Sequence, residues 1–203
     1  GGAKLDKVDF IEQALKKADY ILLGGALPFA FSRAQGNKVG ASKTDYNSVK
    51  AAKRILKMKD ARKIVLPVDY TVTEKFTARA KTLAIPYNQI HGKQIALDLG
   101  PETVKLFKHY LRKAHTIVWN GPLGYFEWAS FATATREIGR YIGKLTAFSI
   151  VGGGETAEAV NKFHLQDLDH VSTGGGSALI FLSGKKLPAL DALEENYKRF
   201  RER

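Results

Sequence analysis

Residues 148–156 hold the clearest chemistry in the chain. Phe148-Ser149-Ile150-Val151 runs into Gly152-Gly153-Gly154, and Glu155 and Thr156 follow at the start of a helical pattern. An apolar run, a glycine cluster and a polar helix start predict a strand, a tight turn and a helix N-terminus. Glycine lets the backbone come close to a bulky anion, and the free N–H groups of a helix start point at it. A second copy of the design stands at His170-Val171-Ser172-Thr173-Gly174-Gly175-Gly176-Ser177. Two such turns predict a phosphate site assembled from several loops.

Other residues offer more than one reading. Glu155 can serve as a first-turn acid that complements the helix dipole, or as a magnesium ligand beside nucleotide phosphates, since hard oxygen donors suit that cation. Glu127 can be a solvated acid or, beyond Gly124-Tyr125-Phe126, a partner for ribose hydroxyls. Lys4 and Lys7 can be surface charges or can neutralise phosphate oxygens next to Gly1-Gly2. Trp119 reads as core. Gly152-Gly153-Gly154-Glu155-Thr156-Ala157 fits G-x-G-x-x-A, but it follows a late strand, and the next strand ends in Ser172-Thr173 with no ribose-binding acid. No G-x-x-x-x-G-K-S/T occurs, which excludes a P-loop, and no H-E-x-x-H or histidine cluster suggests zinc.

The elements that must position these residues alternate. The strands read as Tyr20 to Leu23, Ile64 to Val68, Ile95 to Leu99, Thr116 to Trp119, Ala147 to Val151 and Asp169 to Thr173. Helices are expected from Val8, after Pro28, over Asp45 to Met58, Glu102 to Ala114, Phe131 to Leu145, Thr156 to Phe163, Ser177 to Leu182 and Pro188 to Arg203. Residues 70–94 are ambiguous, with a helix expected around 73–83. Strands separated by helices imply a parallel sheet, whose carboxyl ends share one rim where ligands bind. Gly24-Gly25, Asp98-Leu99-Gly100, Trp119-Asn120-Gly121, Gly152 to Gly154 and Gly174 to Gly176 are expected to converge there. The fold class read from this is α/β: a mostly parallel, doubly wound, Rossmann-like sheet in three layers, with helices on both faces.

Composition narrows the ligand. The 203 residues carry a net charge of +12, which favours anionic partners such as nucleotides, phosphorylated metabolites or nucleic acid. Cysteine is absent, so thiolate chemistry and a disulfide framework are excluded. No apolar stretch approaches the roughly 20 residues of a membrane span, and no signal-peptide pattern opens the chain. A cytoplasmic monomer with no membrane partner and no specific nucleic-acid partner is expected.

Gly1-Gly2-Ala3-Lys4, Leu97 to Pro101, Trp119 to Glu127, Val151 to Thr156, Ser172 to Gly176 and Leu187 to Leu190 stand in the order seen in phosphoglycerate kinase. The chain resembles the carboxyl-terminal, nucleotide-binding half of that two-domain enzyme. The resemblance implies that residues 1–203 form one domain that binds Mg-ADP or Mg-ATP. The enzyme moves phosphoryl between 1,3-bisphosphoglycerate and ADP in glycolysis. By resemblance Lys4 contacts nucleotide phosphates and Lys7 the transferring phosphoryl group. Gly24 and Gly25 line the adenine pocket, with Gly100 nearby. Asn120 and Pro122 flank the nucleotide, Glu127 binds ribose and Glu155 holds Mg2+. Thr156 meets a phosphate with Gly153 and Gly154, and Gly174 and Gly175 donate N–H bonds to the moving group. Phosphoryl transfer of this kind is positioning and charge neutralisation, without a covalent intermediate.

The chain departs from the family pattern at three points. Glu155 stands where aspartate is usual, Ala26 where a third glycine is common, and Lys4 and Lys7 are one residue closer than usual. The Arg/His cluster that holds 3-phosphoglycerate in the family has no counterpart here, so that substrate is expected to need an amino-terminal domain, and phosphoglycerate turnover by these residues alone is not expected. The rival readings are a nucleotide-binding regulatory domain and a basic nucleic-acid-binding module; the latter lacks a basic–aromatic recognition motif.

Overall fold

The computed structural model describes residues 5–182 and 184–201, with the side chains of 5–9 and 182 outside that description. Lys4 lies outside the described residues. Lys7 falls in the first helix, but its side chain lies outside them too.

The chain is α/β. It opens with α1 (Leu5–Ala14), β1 (Ile21–Leu22), α2 (Pro28–Ala34), α3 (Tyr46–Ile55) and β2 (Ile64–Val65). A middle segment follows, made of β3 (Asp69–Thr73), β4 (Leu83–Pro86), β5 (Ile95–Leu99) and α4 (Pro101–Leu111). Next come β6 (Thr116–Asn120), α5 (Thr133–Ile142), β7 (Phe148–Gly152), α6 (Gly154–Lys162), β8 (His170–Ser172), α7 (Gly175–Leu182) and α8 (Pro188–Phe200). Local signals explain the boundaries. Pro28 and Pro101 open α2 and α4, where the missing N–H costs nothing. The Asp45 carboxylate accepts the Ser48 N–H at 2.9 Å and caps α3.

The parallel alternation holds at both ends of the chain. β1 pairs with β2, and β7 lies between β6 and β8, all in parallel. The register sets Asn120 opposite Gly152 and Gly152 opposite Ser172, so three strand ends finish in line, each just before a glycine turn.

The helix expected around 73–83 does not form. β3 pairs antiparallel with both β4 and β5, and the segment is a three-stranded antiparallel sheet with β3 at its centre. Tyr70 is followed by three β-branched residues, Thr71, Val72 and Thr73, which suit a pleated surface, and Tyr70 and Val72 are buried in the main core. That core runs from this sheet through Trp119 and Val151 to α5, and a second cluster joins α1, α2 and α3 around Leu15, Phe31 and Ile55.

Asp69 links β3 to α4. Its carboxylate accepts the N–H groups of Glu102 (3.0 Å) and Thr103 (2.7 Å) and the Thr103 hydroxyl (2.6 Å). The Thr103 oxygen in turn accepts the N–H groups of Val68 and Asp69, each at 3.0 Å. This reciprocal cap satisfies orphan donors at the start of α4 and fixes where β5 ends.

Candidate functional site

The two triple-glycine turns meet. Gly153 caps α6 with φ of 103°, a conformation that glycine adopts at little cost. Its N–H donates to the Ser172 carbonyl at 2.9 Å, which ties the start of α6 to the end of β8. Across this seam Gly175 opens α7 so close by that a methyl carbon built on it would lie 2.9 Å from Gly153 Cα. Asn120 fills the corner, donating its amide to the Gly152 carbonyl at 2.8 Å. Two helix N-termini therefore point into one place. The first N–H groups of each have no intrahelical partner, and their dipoles favour an anion.

Beside the seam lies a cavity of about 240 Å³, whose lining includes Gly25, Pro122, Tyr125, Glu127, Glu155 and Asp98. A drug-sized site is about 300–1,000 Å³, so this cavity suits one part of a ligand, with the remainder on the rim. Glu155, on the first turn of α6, belongs to both the cavity and the helix start.

A single loop, residues 121–131, builds one wall, and distant elements hold it. The Gly121 N–H donates to Thr156 Oγ1 (2.7 Å), and the Leu123 N–H donates to Thr135 Oγ1 (3.0 Å). The Leu123 carbonyl accepts the Gly25 N–H (3.0 Å), and the Tyr125 N–H donates to Leu97 O (2.7 Å). The side chains of Tyr125 and Trp128 pack together and against Phe76 from the β3–β4 connection.

These ties give several expected residues a definite place. Gly25, Pro122, Glu127 and Glu155 come together in the cavity, and Asn120, Gly153 and Gly175 in the seam. Gly24 sits against Leu123 and Leu99. Gly154 is the first residue of α6, and the Gly174 N–H donates to Ser172 Oγ at 3.1 Å. Gly100 caps α4 against Asp69 and is not part of the cavity lining. Thr156 is fully buried, and its hydroxyl is committed to Gly152 O (3.0 Å) and the Gly121 N–H, so its side chain holds the turn together instead of facing an anion. Trp119 is core, with Nε1 donating to Gly121 O at 2.8 Å.

Asp98 is the cavity residue whose environment the sequence hides. It is 3% exposed, and its carboxylate accepts the N–H groups of Leu99 (2.9 Å) and Ala134 (3.1 Å), joining β5 to the start of α5. Burial pushes the carboxyl up from 3.8 to about 7, against the lowering effect of the donors at Ala134, Leu99 and Thr133 and the charge of Arg136. Below about pH 4 this group is protonated in both the folded and the unfolded chain. Between about pH 4 and 7 the unfolded chain releases the proton and the folded chain keeps it. Stability therefore falls as pH rises, by about 1.4 kcal/mol per pH unit from this group, and levels off above pH 7. Asp98→Asn should remove that slope. Urea midpoints from pH 4 to 8 that run parallel for the two proteins would refute it.

The cavity carries three carboxyl groups, Asp98, Glu127 and Glu155, and its lining includes no Lys or Arg among the described residues. Such a lining suits hydroxyl donors or a cation, and it repels bare phosphate; the seam suits phosphate. Among the described residues no group of three or more His, Asp or Glu stands ready to hold a metal ion. A magnesium site needs no such cage, because the ion takes one or two carboxylates and fills its shell with phosphate and water oxygens. Glu155, exposed on the helix start between cavity and seam, fits that demand. A larger open cleft of about 510 Å³ lies at the β3–β4 connection, lined by Lys75, Arg79 and Lys81 among others; it contains none of the expected site residues.

The chain is similar to known proteins over nearly its whole length. A family model described as phosphoglycerate kinase matches residues 1–185. The phosphoglycerate kinase of Limosilactobacillus reuteri is 44% identical over 198 residues, which cover 96% of this chain and 49% of the relative. That of Pseudothermotoga lettingae is 43% identical over 203 residues, 98% of this chain and 51% of the relative. The solved structure of phosphoglycerate kinase from Coxiella burnetii superposes with a TM-score of 0.87 at 38% identity, over 94% of this chain and 50% of that one. The chain spans about half the length of the relatives it matches. Carried by a match over nearly all its length, the chain belongs to the phosphoglycerate kinase family.

Proposed function

We propose that residues 1–203 are the carboxyl-terminal, nucleotide-binding domain of a phosphoglycerate kinase, which moves phosphoryl between 1,3-bisphosphoglycerate and ADP. The observation that carries the reading is the meeting of the α6 and α7 N-termini beside a carboxylate-lined cavity. The cavity takes the nucleoside and the seam takes the phosphates. Gly24 and Gly25 border the base, with Pro122 on the opposite wall. Glu127 accepts hydrogen bonds from ribose hydroxyls. The N–H groups of Gly154 and Glu155 face phosphate oxygens, Gly153 allows the close approach, and buried Thr156 braces the turn behind them. Asn120 squares the corner of the seam, so its role is to hold the two turns rather than to reach the ligand first. Gly174 and Gly175 aim N–H groups at the group in transfer, and Lys4 and Lys7 add positive charge to it. Gly100 acts at one remove, by ending β5 behind the cavity.

Magnesium, held by Glu155 and the nucleotide, supplies charge neutralisation on the phosphates when bound. The donors of this chain do the rest: they orient the nucleotide and fix its phosphates before the reaction, so that little reorganisation remains at the transition state. In this reading 3-phosphoglycerate is held by a separate amino-terminal domain, and nucleic acid has no specific site.

Calorimetry tests the reading through the metal. Glu155→Gln keeps the shape and removes the charge. It should weaken Mg-ADP roughly tenfold or more and metal-free ADP far less, since the lost bond is charge-assisted. Equal losses for both would reduce Glu155 to a helix-dipole residue. Absence of any Mg-ADP binding by the parent chain would overturn the reading.

A further inference from the structure

Lys162 ends α6, the helix whose first turn carries Glu155. A lysine in the last turn of a helix ordinarily complements the dipole of its own helix. Lys162 spends its hydrogen bonds elsewhere. Its Nζ donates to two successive carbonyls of the cavity loop, Phe126 O at 3.1 Å and Glu127 O at 2.9 Å. The same ammonium lies 5.5 Å from the centroid of the Phe126 ring and 5.8 Å from that of Phe163. Those rings meet edge to face at 6.3 Å, and Phe126 is 1% exposed. The lysine thus sits on a fixed aromatic floor, which limits the geometries it can adopt.

The position matters because of what the loop carries. The ties at Gly121, Leu123 and Tyr125 fix its first half and stop short of Glu127. Lys162 holds the main chain of Glu127 itself and of the residue before it. α6 therefore reaches the cavity from both its ends: Glu155 lines it at the first turn, and the last turn anchors the segment that presents Glu127.

We propose that Lys162 is a positioning residue for nucleotide binding, fixing the main chain at Phe126 and Glu127 so that the Glu127 carboxylate faces the ribose hydroxyls of a nucleoside diphosphate. The proposal rests on the ribose role of Glu127 given above. Charge-assisted bonds to carbonyls are stronger than neutral ones, and two on neighbouring carbonyls restrict both the position and the tilt of the peptide between them. Lys162 is itself solvent-exposed, so the effect is of moderate size.

The test compares Mg-ADP with Mg-2′,3′-dideoxy-ADP, which lacks the hydroxyls, by calorimetry on the full 203-residue chain. The parent chain should prefer ADP roughly tenfold, as expected for hydrogen bonds to a charged group. Glu127→Gln should lose most of that preference. Lys162→Met keeps the stem that packs on the rings and removes the donors. It should cut the preference roughly threefold or more while leaving dideoxy-ADP affinity within about twofold. Lys162→Arg, which restores a donor, should recover most of the preference. In Glu127→Gln, adding Lys162→Met should change little further. If Glu127→Gln loses the preference and Lys162→Met keeps it, the Lys162 proposal is overturned and the ribose reading stands. If Glu127→Gln itself keeps the preference, the ribose reading fails and the proposal falls with it. A uniform loss for both nucleotides in Lys162→Met would make the residue a general stabiliser of the fold and overturn its positioning role.

Discussion

Purified by itself, the 203-residue chain is expected to bind Mg-ADP and yet to turn over phosphoglycerate at or near the background rate. Phosphoglycerate carries a carboxylate and a phosphate, and a site for it must present cations. The cavity beside the seam presents the carboxylates of Glu127 and Glu155 instead. Its chemistry suits the nucleoside and the metal, and it turns an anionic acid away. The seam can hold the phosphate being moved, but the cavity lining offers nothing that would align a carboxylate acceptor with it. Holding two reactants in line at near-attack distance supplies about 7–11 kcal/mol of a barrier, so losing one partner's site costs many orders of magnitude in rate. A coupled assay on the pure chain, alongside calorimetry with Mg-ADP, decides the matter. Turnover comparable to an intact kinase would place the acid site within these residues and refute the division of labour proposed above.

Gly175→Val is expected to have the largest effect on binding. A β-carbon at 175 would lie 2.9 Å from Gly153 Cα and 3.6 Å from Gly153 N, so the obstruction is backbone, which cannot rotate away as a side chain can. Valine adds two methyl groups beyond that carbon. Overpacking of this kind costs about 1–3 kcal/mol, and relief comes from moving the α7 N-terminus away from that of α6. The anion then loses convergent donors, and each charge-assisted bond is strong and geometrically exacting. Mg-ATP, which carries the group in transfer, should bind on the order of 100-fold more weakly, with the thermal midpoint lowered by far less than unfolding would require. Wild-type affinity in Gly175→Val would mean that the seam does not bind the phosphates.

What the sequence reveals here is what is local. The triple-glycine turns, the acid at position 155 and the Asn120-Gly121-Pro122 break each declare themselves within a few residues, and the structure brings them to adjoining places. The proline starts of α2 and α4 are equally local. The helix expected around 73–83 failed because Ala78 to Lys81 carry good helix formers, while the pairing that decides the segment comes from β5, more than twenty residues on. Thr156 reads as a phosphate ligand because its position fits. Only the fold shows that its hydroxyl serves Gly121, 35 residues earlier. Asp98 and Lys162 were illegible for the same reason: an acid in an apolar strand and a lysine at a helix end are common, and only their distant partners give them a task.

The loop of residues 121–131 is fastened by partners drawn from almost the whole chain: Gly25 from before α2, Leu97 from β5, Thr135 from α5, Thr156 and Lys162 from α6. Closures over such separations bear their entropy cost before they are rewarded, and so they come late in folding. The cavity wall therefore exists only once the flanking elements have docked, and no single supersecondary unit can assemble it in advance. If the proposed function holds, a nucleotide meeting a half-folded chain finds glycine turns but no wall. Its binding energy accrues to the finished domain rather than to the folding nucleus. On the proposed function the ligand would act as a brake on unfolding far more than as a guide to folding, and an occupied domain is expected to resist proteolysis through slow opening.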